Sequence, residues 1–162
     1  KSDSTGRAIT AAAGAGGGAA VAASLATGVV GDNNAITFTA NQEGSDGNDI
    51  TITIVDPAGN NATLSVDVDG TDIIISSATD GSSVMTSTAT LVIAAILEHD
   101  TASQMVTAAS TGASSGAGVV VALAETNLAG GVDSVGTAEG VVNGQALTAA
   151  AAAGDIIEVD LF

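Results

Sequence analysis

The stretch ITITIV, residues 50–55, decides the fold of this chain. Its isoleucines and threonines alternate, so the three isoleucines share one face of an extended strand. The same alternation recurs in AITFTA at residues 35–40 and in ATLSVDV at residues 62–68. Period-two patterning of this kind is typical of β-strands that bury one face.

Short polar segments between these stretches predict turns. The segment DPAGNN at residues 56–61 combines Asp, Pro, Gly and Asn, which favour turn conformations. Asp69-Gly70 precedes the apolar run Ile73–Ile75 and predicts a tight hairpin, because both turn residues tolerate positive φ. We therefore expect four strands in meander order between residues 35 and 75.

One helix is predicted after these strands. Ser87 or Thr88 supplies its N-cap, and it is expected to end near residues 99–103. Its apolar stripe consists of residues at helical spacing: Leu91, Val92, Ala95 and Ile96. Residues 104–108 and 119–123 are predicted as further strands. The expected fold class is mainly β with one helix, an α+β arrangement in which the helix packs on a mainly antiparallel sheet.

The two ends of the chain share a repeated sequence. GRAITAAAGAG at residues 6–16 recurs as GQALTAAAAAG at residues 144–154. Both copies are rich in Ala and Gly and have little bulk to fill a core of their own. This layout predicts a discontinuous β base with an N-terminal arm, formed by residues 1–30 and 132–162, that carries an inserted α+β domain at residues 31–131.

Charge excludes two classes of partner. Lys1 and Arg7 are the only Lys or Arg residues against 18 acidic residues, and the net charge is −16. Binding to nucleic acid or to anionic lipid requires several basic side chains, so we expect neither a nucleic-acid nor a membrane partner. Residues 8–30 are uncharged but consist mostly of Ala and Gly, which is a poor match to a transmembrane helix.

Few residues are suited to catalysis. His99 is the only histidine, and its neighbours Glu98 and Asp100 do not share its face on a helix. A solvated histidine at a helix end explains the same residue. The chain has no Cys, which excludes thiolate chemistry and Cys-ligated metals. No catalytic residue is predicted, and the chain is not expected to be an enzyme.

Two acidic segments raise the question of calcium. DVDGTD at residues 67–72 and DGND at residues 46–49 contain oxygen ligands, but they lack the spacing and the terminal Glu of an EF-hand loop. Turn formation explains both segments. No metal or cofactor is predicted, while a weak calcium site at either segment, with Asp67 and Asp69 on one face of a strand, stays open as an alternative.

Several motifs resemble known virion proteins. ALTAA at residues 146–150, followed by AGDIIEV at residues 153–159, resembles the C-terminus of small capsid cement, or head-decoration, proteins of tailed phages. The central part resembles a module that recurs in phage virion proteins. Its marks are ITFTA at residues 36–40, GNDIT at residues 47–51, VDPAGNN at residues 55–61 and TNLAGG at residues 126–131.

This resemblance implies a structural role on the outer surface of a virion. Proteins of this kind bind the major capsid protein and each other, often as trimers at local three-fold sites, and help the shell to resist the pressure of the packaged DNA. The residues expected to contact the capsid or neighbouring subunits lie near the two ends of the chain: Arg7, Ala8, Ile9, Thr10, Ala146, Leu147, Thr148, Ile156, Ile157, Val159 and Phe162.

Two other functions compete with capsid decoration. One is a tail component or fibre domain that recognises a host surface, and the other is a secreted, calcium-dependent adhesin module. The location of the protein in a purified particle distinguishes capsid decoration from a tail or fibre function. Calcium-dependent melting identifies an adhesin module.

Overall fold

Strands account for most of the regular structure in the computed structural model, which describes residues 18–135. Within these residues the strands are β1 (Ala22–Thr27), β2 (Ile36–Glu43), β3 (Thr51–Val55), β4 (Ser65–Asp69), β5 (Asp72–Ser76), β6 (Val106–Ser110) and β7 (Leu123–Asn127). The helices are α1 (Ala89–Glu98) and α2 (Ala102–Met105), with short 3₁₀ helices at Val30–Asp32 and Ser45–Asp49. The predicted fold class, mainly β with one main helix, is confirmed.

The first sheet has the antiparallel order β1-β2-β6. Leu25 of β1 lies beside Phe38 of β2, which lies beside Ala108 of β6. Ile36 and Phe38 are fully buried, whereas the threonines that alternate with them, Thr37 and Thr39, are only half-buried. The alternation at residues 35–40 therefore sets which face of this sheet meets the core.

The second sheet has the order β4-β5-β3-β7, and here the predicted meander is wrong. β2 belongs to the other sheet, and β3 pairs with β5 in parallel rather than with β4. Burial explains this order. Ile73 and Ile75 of β5 are fully buried, so β5 takes an interior position, while the exposed Asp67 and Asp69 are on β4 at the sheet edge.

The predicted hairpin joins β4 and β5. Asp69 and Asp72 form its last pair, and Gly70-Thr71 makes the turn. Gly70 has a φ of 63°, in the left-handed region that a glycine adopts without the steric cost of a Cβ. The tight hairpin turn expected from the sequence is confirmed, but it is shifted by one residue from the predicted pair Asp69-Gly70.

Helix α1 begins where the sequence predicts, after the N-cap Thr88, whose side chain accepts the N–H of Leu91. Its buried residues are Ala89, Val92 and Ile96. Leu91, predicted to lie in the apolar stripe, is 52% exposed. The stripe is therefore rotated from the prediction, because Ala89 at the first turn takes the position facing the core.

The segments after α1 differ from the predicted strands. Residues 104–105 end α2, and the strand there begins at Val106. The last strand in this part of the chain begins at Leu123, whereas residues 119–123 were predicted as a strand. Residues 118–120 instead contact the entry to α1: Val120 donates to the Ser87 carbonyl, and the Gly118 carbonyl accepts from Ala89.

A single hydrophobic core joins both sheets and α1. Its largest fully buried apolar side chains are Phe38, Ile36, Ile52, Ile73, Ile75, Ile96, Leu128, Val92 and Val106. The three isoleucines of the ITITIV stretch all belong to this core.

The compact unit runs from Ala19 to Ser134, so it begins earlier than the boundary expected at Gly31. The reason is β1, which pairs with β2 along its length and places Ala23 in the core. At the other end, Val132 and Val21 exchange two backbone hydrogen bonds. The terminal segments that were predicted to complete a β base lie outside the described residues.

Replacing Ile52 tests the role of β3. Ile52 is fully buried between Ile73 and Thr126, so Ile52→Ala is expected to lower the free energy of unfolding by about 2–5 kcal/mol. Ile52→Asp is expected to prevent folding, because it buries an unpaired carboxylate. Leu97→Ala, at a position that is 75% exposed, is the control and should change stability by less than about 0.5 kcal/mol. Urea unfolding of the three variants measures these differences, and equal midpoints for Ile52→Ala and Leu97→Ala would contradict the assignment.

The position of β1 generates a second prediction. A fragment covering residues 19–134 is expected to show a cooperative thermal transition, since it retains the whole compact unit. A fragment covering residues 31–131 lacks β1 and the Val132 contact, and should melt at a lower temperature or without cooperativity. Circular dichroism melts compare the two fragments. Identical transitions would show that β1 is dispensable.

Candidate interaction site

The chain enters and leaves the compact unit side by side. Val21 and Val132 exchange backbone hydrogen bonds of 2.8 and 3.0 Å, and Ser24 and Ala129 exchange bonds of 2.8 and 3.0 Å. Farther out, the Val135 N–H donates to the Gly18 carbonyl at 3.1 Å. Adjacent entry and exit segments are typical of a domain that is inserted into, and carried by, another part of a chain.

Side chains hydrogen-bond the exit segment, residues 131–133, to the 3₁₀ helix at Ser45–Asp49. Asn48 donates from Nδ2 to the Gly131 carbonyl at 3.0 Å and accepts the Gly131 N–H at Oδ1 at 2.8 Å. Ser45 donates its N–H and its hydroxyl to the two carboxylate oxygens of Asp133, each at 2.8 Å. We call these four residues, Ser45, Asn48, Gly131 and Asp133, the exit clasp.

Glycine is required where the backbones of the exit clasp meet. A Cβ on Gly131 would lie 2.3 Å from the Gly44 carbonyl oxygen, a distance that real Cβ atoms do not reach. Gly44 itself has a φ of 120°, and a Cβ there would lie 2.7 Å from the Asp133 carboxylate. The close approach that brings Asn48 to the exit segment therefore depends on both glycines.

Two motifs singled out in the sequence meet at this place. GNDIT supplies Asn48 and TNLAGG supplies Gly131. Between them, Asn127 donates from its side chain to the Asn48 carbonyl at 3.0 Å, and the Leu128 N–H donates to the Ile50 carbonyl at 2.9 Å. The two motifs lie far apart in the sequence, at residues 47–51 and 126–131. The structure shows that they form one feature, which closes the compact unit where the chain leaves it.

The hydrogen bonds of the exit clasp stabilise the ionised form of Asp133. The backbone N–H of Ser45 is the largest cause, and the Ser45 hydroxyl adds to it, so the pKa of Asp133 lies below its ordinary value of 3.8 despite an opposing contribution from desolvation. The clasp is therefore formed with a charged carboxylate at neutral pH.

A second ordered polar surface lies at the other end of β3. The loop after β3, residues 56–62, contacts the loop after β5, residues 77–85: Asn61 donates to the Asp80 carbonyl at 2.9 Å, and Ala62 donates to Thr79 Oγ1 at 2.9 Å. The Ser83 hydroxyl and the Asn60 side chain are also hydrogen-bonded. We call this pair of segments the distal loops, because β3 separates them from the exit clasp at its opposite end.

Asp80 orders the distal loops from within. Its carboxylate accepts the N–H groups of Ser82 at 2.7 Å and Val84 at 3.0 Å. These bonds, that from Val84 first, lower the pKa of Asp80 below its ordinary value of 3.8. The sequence indicated the turn at residues 56–61 but carried no signal for its partner, since the pairing joins separate parts of the chain.

His99 has a structural role in the described residues. Its Nδ1 accepts the N–H of Ala102 at 3.1 Å and so holds the turn between α1 and α2. Because Nδ1 is an acceptor here, the neutral ring carries its proton on Nε2. The flanking Glu98 and Asp100 are exposed.

The acidic segments do not converge. Asp67 and Asp69 are exposed on β4, while Asp72 accepts the Thr51 hydroxyl at 2.8 Å. Asp46 and Asp49 are exposed beside the exit clasp. Across residues 18–135, no group of three or more His, Asp or Glu side chains is placed to hold a metal ion.

The predicted contact residues, at positions 7–10 and 146–162, lie outside the described residues, and their role stays a prediction. Within the part of the chain that the structure describes, no helix is long and apolar enough to cross a membrane.

The exit clasp generates a pH prediction. The folded pKa of Asp133 is below the unfolded value of 3.8, so the contribution of the clasp to stability is complete above that value and is lost as the pH falls through the folded pKa. The NMR shift of the Ser45 amide is expected to titrate in this acidic range in the parent chain and in Asp80→Asn. The titration should disappear in Asp133→Asn. A Ser45 amide that titrates equally in all three proteins would contradict the clasp.

Comparison with known proteins identifies no relative: no family model matches the chain, and neither the curated proteins nor the solved structures include a significant match.

Proposed function

We propose that this chain is a structural protein that decorates and stabilises the outer surface of a tailed-phage capsid, and that it is not an enzyme. The observation that carries this proposal is the side-by-side entry and exit of the compact unit, closed by the exit clasp. This arrangement supports a unit that is displayed by the terminal segments. The phage-like motifs GNDIT and TNLAGG, which meet at the clasp, connect that display to virion proteins.

The terminal segments supply attachment in this proposal. They hold the residues expected to contact the major capsid protein and the neighbouring copies, from Arg7 to Thr10 and from Ala146 to Phe162. Their Ala/Gly-rich composition favours burial against another chain over a separate core. A homotrimer then combines several weak contacts into one stable attachment, because each contact raises the effective concentration of the next.

The compact unit faces solvent in this proposal. Its carboxylates contribute to the net charge of −16, which favours solubility and keeps decorated particles apart. The distal loops lie at the end of β3 opposite the exit clasp, so they are the part of the unit farthest along β3 from its attachment.

The distal loops also favour a second candidate function, recognition of a host surface by a tail or fibre component. Exposed Asn, Ser and Asp side chains held in fixed loops are suited to hydrogen-bonding a polar ligand. Antibody labelling of purified particles separates the two functions: label over the head supports decoration, and label at the tail supports recognition.

Removing the N-terminal arm tests attachment. Deletion of residues 1–17 keeps Gly18 and its bond to Val135, and is expected to reduce occupancy on undecorated particles while the melt of the compact unit stays unchanged. The lost contacts are intermolecular, so only binding should suffer. The control is Asn60→Ala in the distal loops, which should bind as the parent does. Equal occupancy of the truncated and parent chains, measured on washed particles at several salt concentrations, would contradict a role for the arm.

A further inference from the structure

The edges of the two sheets differ in how they are protected. The outer side of β1 is covered over its first half, because Ser24 pairs with Ala129 and Val21, just before the strand, pairs with Val132. β4 has exposed carboxylates on Asp67 and Asp69, and β7 has one on Glu125. Charged side chains of this kind discourage a strand edge from pairing with another chain. The remaining edge, β6, has the sequence VTAAS and carries no charge, proline or bulge.

Within residues 18–135, the outward backbone groups of β6 are not paired with another strand. The Thr111 N–H donates to the Ala35 carbonyl, which fixes the phase of the β2–β6 ladder. In antiparallel pairing, hydrogen-bonded residues alternate, so Thr107 and Ala109 face β2 while Ala108 and Ser110 direct their N–H and C=O groups away from the sheet. Among the described residues, these outward groups have no backbone partner.

An exposed apolar side chain lies beside the same edge. Helix α1 covers the core face of β6, and a groove of about 90 Å³ runs between them. Its apolar lining is Ile93, Ile96, Leu97, Val106 and Ala108. Leu97 is 75% exposed, the largest fraction among the exposed large hydrophobic residues of the described chain. The unpaired strand and the exposed leucine thus lie next to each other.

We propose that this edge pairs with the same edge of a second copy of the chain, β6 antiparallel to β6, about a two-fold axis beside Ala109. Ala108 then pairs with Ser110 of the partner subunit and Ser110 pairs with Ala108 of the partner subunit, which makes about four backbone hydrogen bonds. The order β1-β2-β6 continues through the axis into a sheet of twice the width. The two-fold rotation therefore gives the outward N–H and C=O groups of Ala108 and Ser110 hydrogen-bond partners in both copies.

The two-fold symmetry also accounts for the exposure of the Leu97 side chain in a single copy. A two-fold axis perpendicular to the sheet keeps both copies of α1 on the same face, so the two grooves and the two Leu97 side chains lie on the same side of the joined strands. A leucine that is 75% exposed in one copy acquires an apolar neighbourhood in the pair. Small side chains at Ala108 and Ala109 allow the strands to approach without steric conflict.

Charge favours β6 over the edges β4 and β7 as the contact between two acidic chains. Two copies with a charge of −16 each repel, so a contact between them must lie where carboxylates are absent. Glu98 and Asp100, exposed beyond Leu97, are the acidic groups next to the groove along the chain, and salt that screens them is expected to strengthen the pairing. The contact is small, so pairing forms where copies are concentrated, as on a crowded surface.

A single introduced thiol tests the pairing in the full chain, which has no cysteine of its own. The backbone groups of Ala109 face β2, so across the axis Ala109 meets its own copy as a non-hydrogen-bonded pair with Cα atoms about 4.5 Å apart, within the range of a disulfide. Ala109→Cys is expected to yield a disulfide-linked dimer under mild oxidation at high protein concentration. The control is Ala26→Cys, an exposed position on β1 in the same sheet.

The expected result is a cross-linked fraction that is several-fold higher for Ala109→Cys than for Ala26→Cys and that rises with salt. In the Ala109→Cys background, Ser110→Pro should reduce cross-linking without altering the thermal melt, because its outward N–H is not used within one copy. Leu97→Ser should reduce cross-linking more than Leu91→Ser on the same helix. Equal cross-linking of the two cysteine variants, or none for Ala109→Cys at high protein and salt concentration, would overturn the proposal. Trimerisation through the chain ends affects neither comparison.

Discussion

The scarcity of large apolar side chains is the constraint on which the rest of this structure depends. Phe38 is the only aromatic residue in the described part of the chain, so the core is built mainly from Ile, with smaller contributions from Val and Ala. β3 makes such a core sufficient, because it lies between β5 and β7 and buries Ile52 and Ile54. Both sheets and α1 share this core, so the apolar residues that are buried stabilise all three together.

The sequence predicted which face of a strand is buried better than it predicted which strands pair with each other. Alternation in residues 35–40 and 50–55 identified the buried side of β2 and β3, because side-chain direction is a local property of a strand. It did not identify the parallel pairing of β3 with β5, since pairing depends on which strands compete for the interior. β1 was missed as part of the unit because AASLAT has only one large apolar residue, Leu25, and its place is decided by β2.

The exit clasp illustrates the same limit for a site. Asn48 lies in the motif GNDIT and Gly131 in the motif TNLAGG, 83 positions apart. Nothing in either motif indicates that the two residues are in contact. Their contact follows from the path of β3 and β7, which brings residues 48–50 beside residues 127–128. The hairpin at Gly70 was predictable because a two-residue turn depends on its own residues, whereas the clasp depends on the whole sheet.

The acidic side chains of this protein also affect which strand edges are protected from pairing with another chain. A net charge of −16 opposes random association, most strongly at surfaces that carry carboxylates. Residues 8–30 are uncharged, and so is β6, whereas the exposed edges β4 and β7 carry Asp67, Asp69 and Glu125. Exposed carboxylates therefore protect the edges of the second sheet from pairing, whereas β6 lacks that protection. Such a distribution fits the proposed decoration role, in which copies stay dispersed in solution and associate where they are held in register.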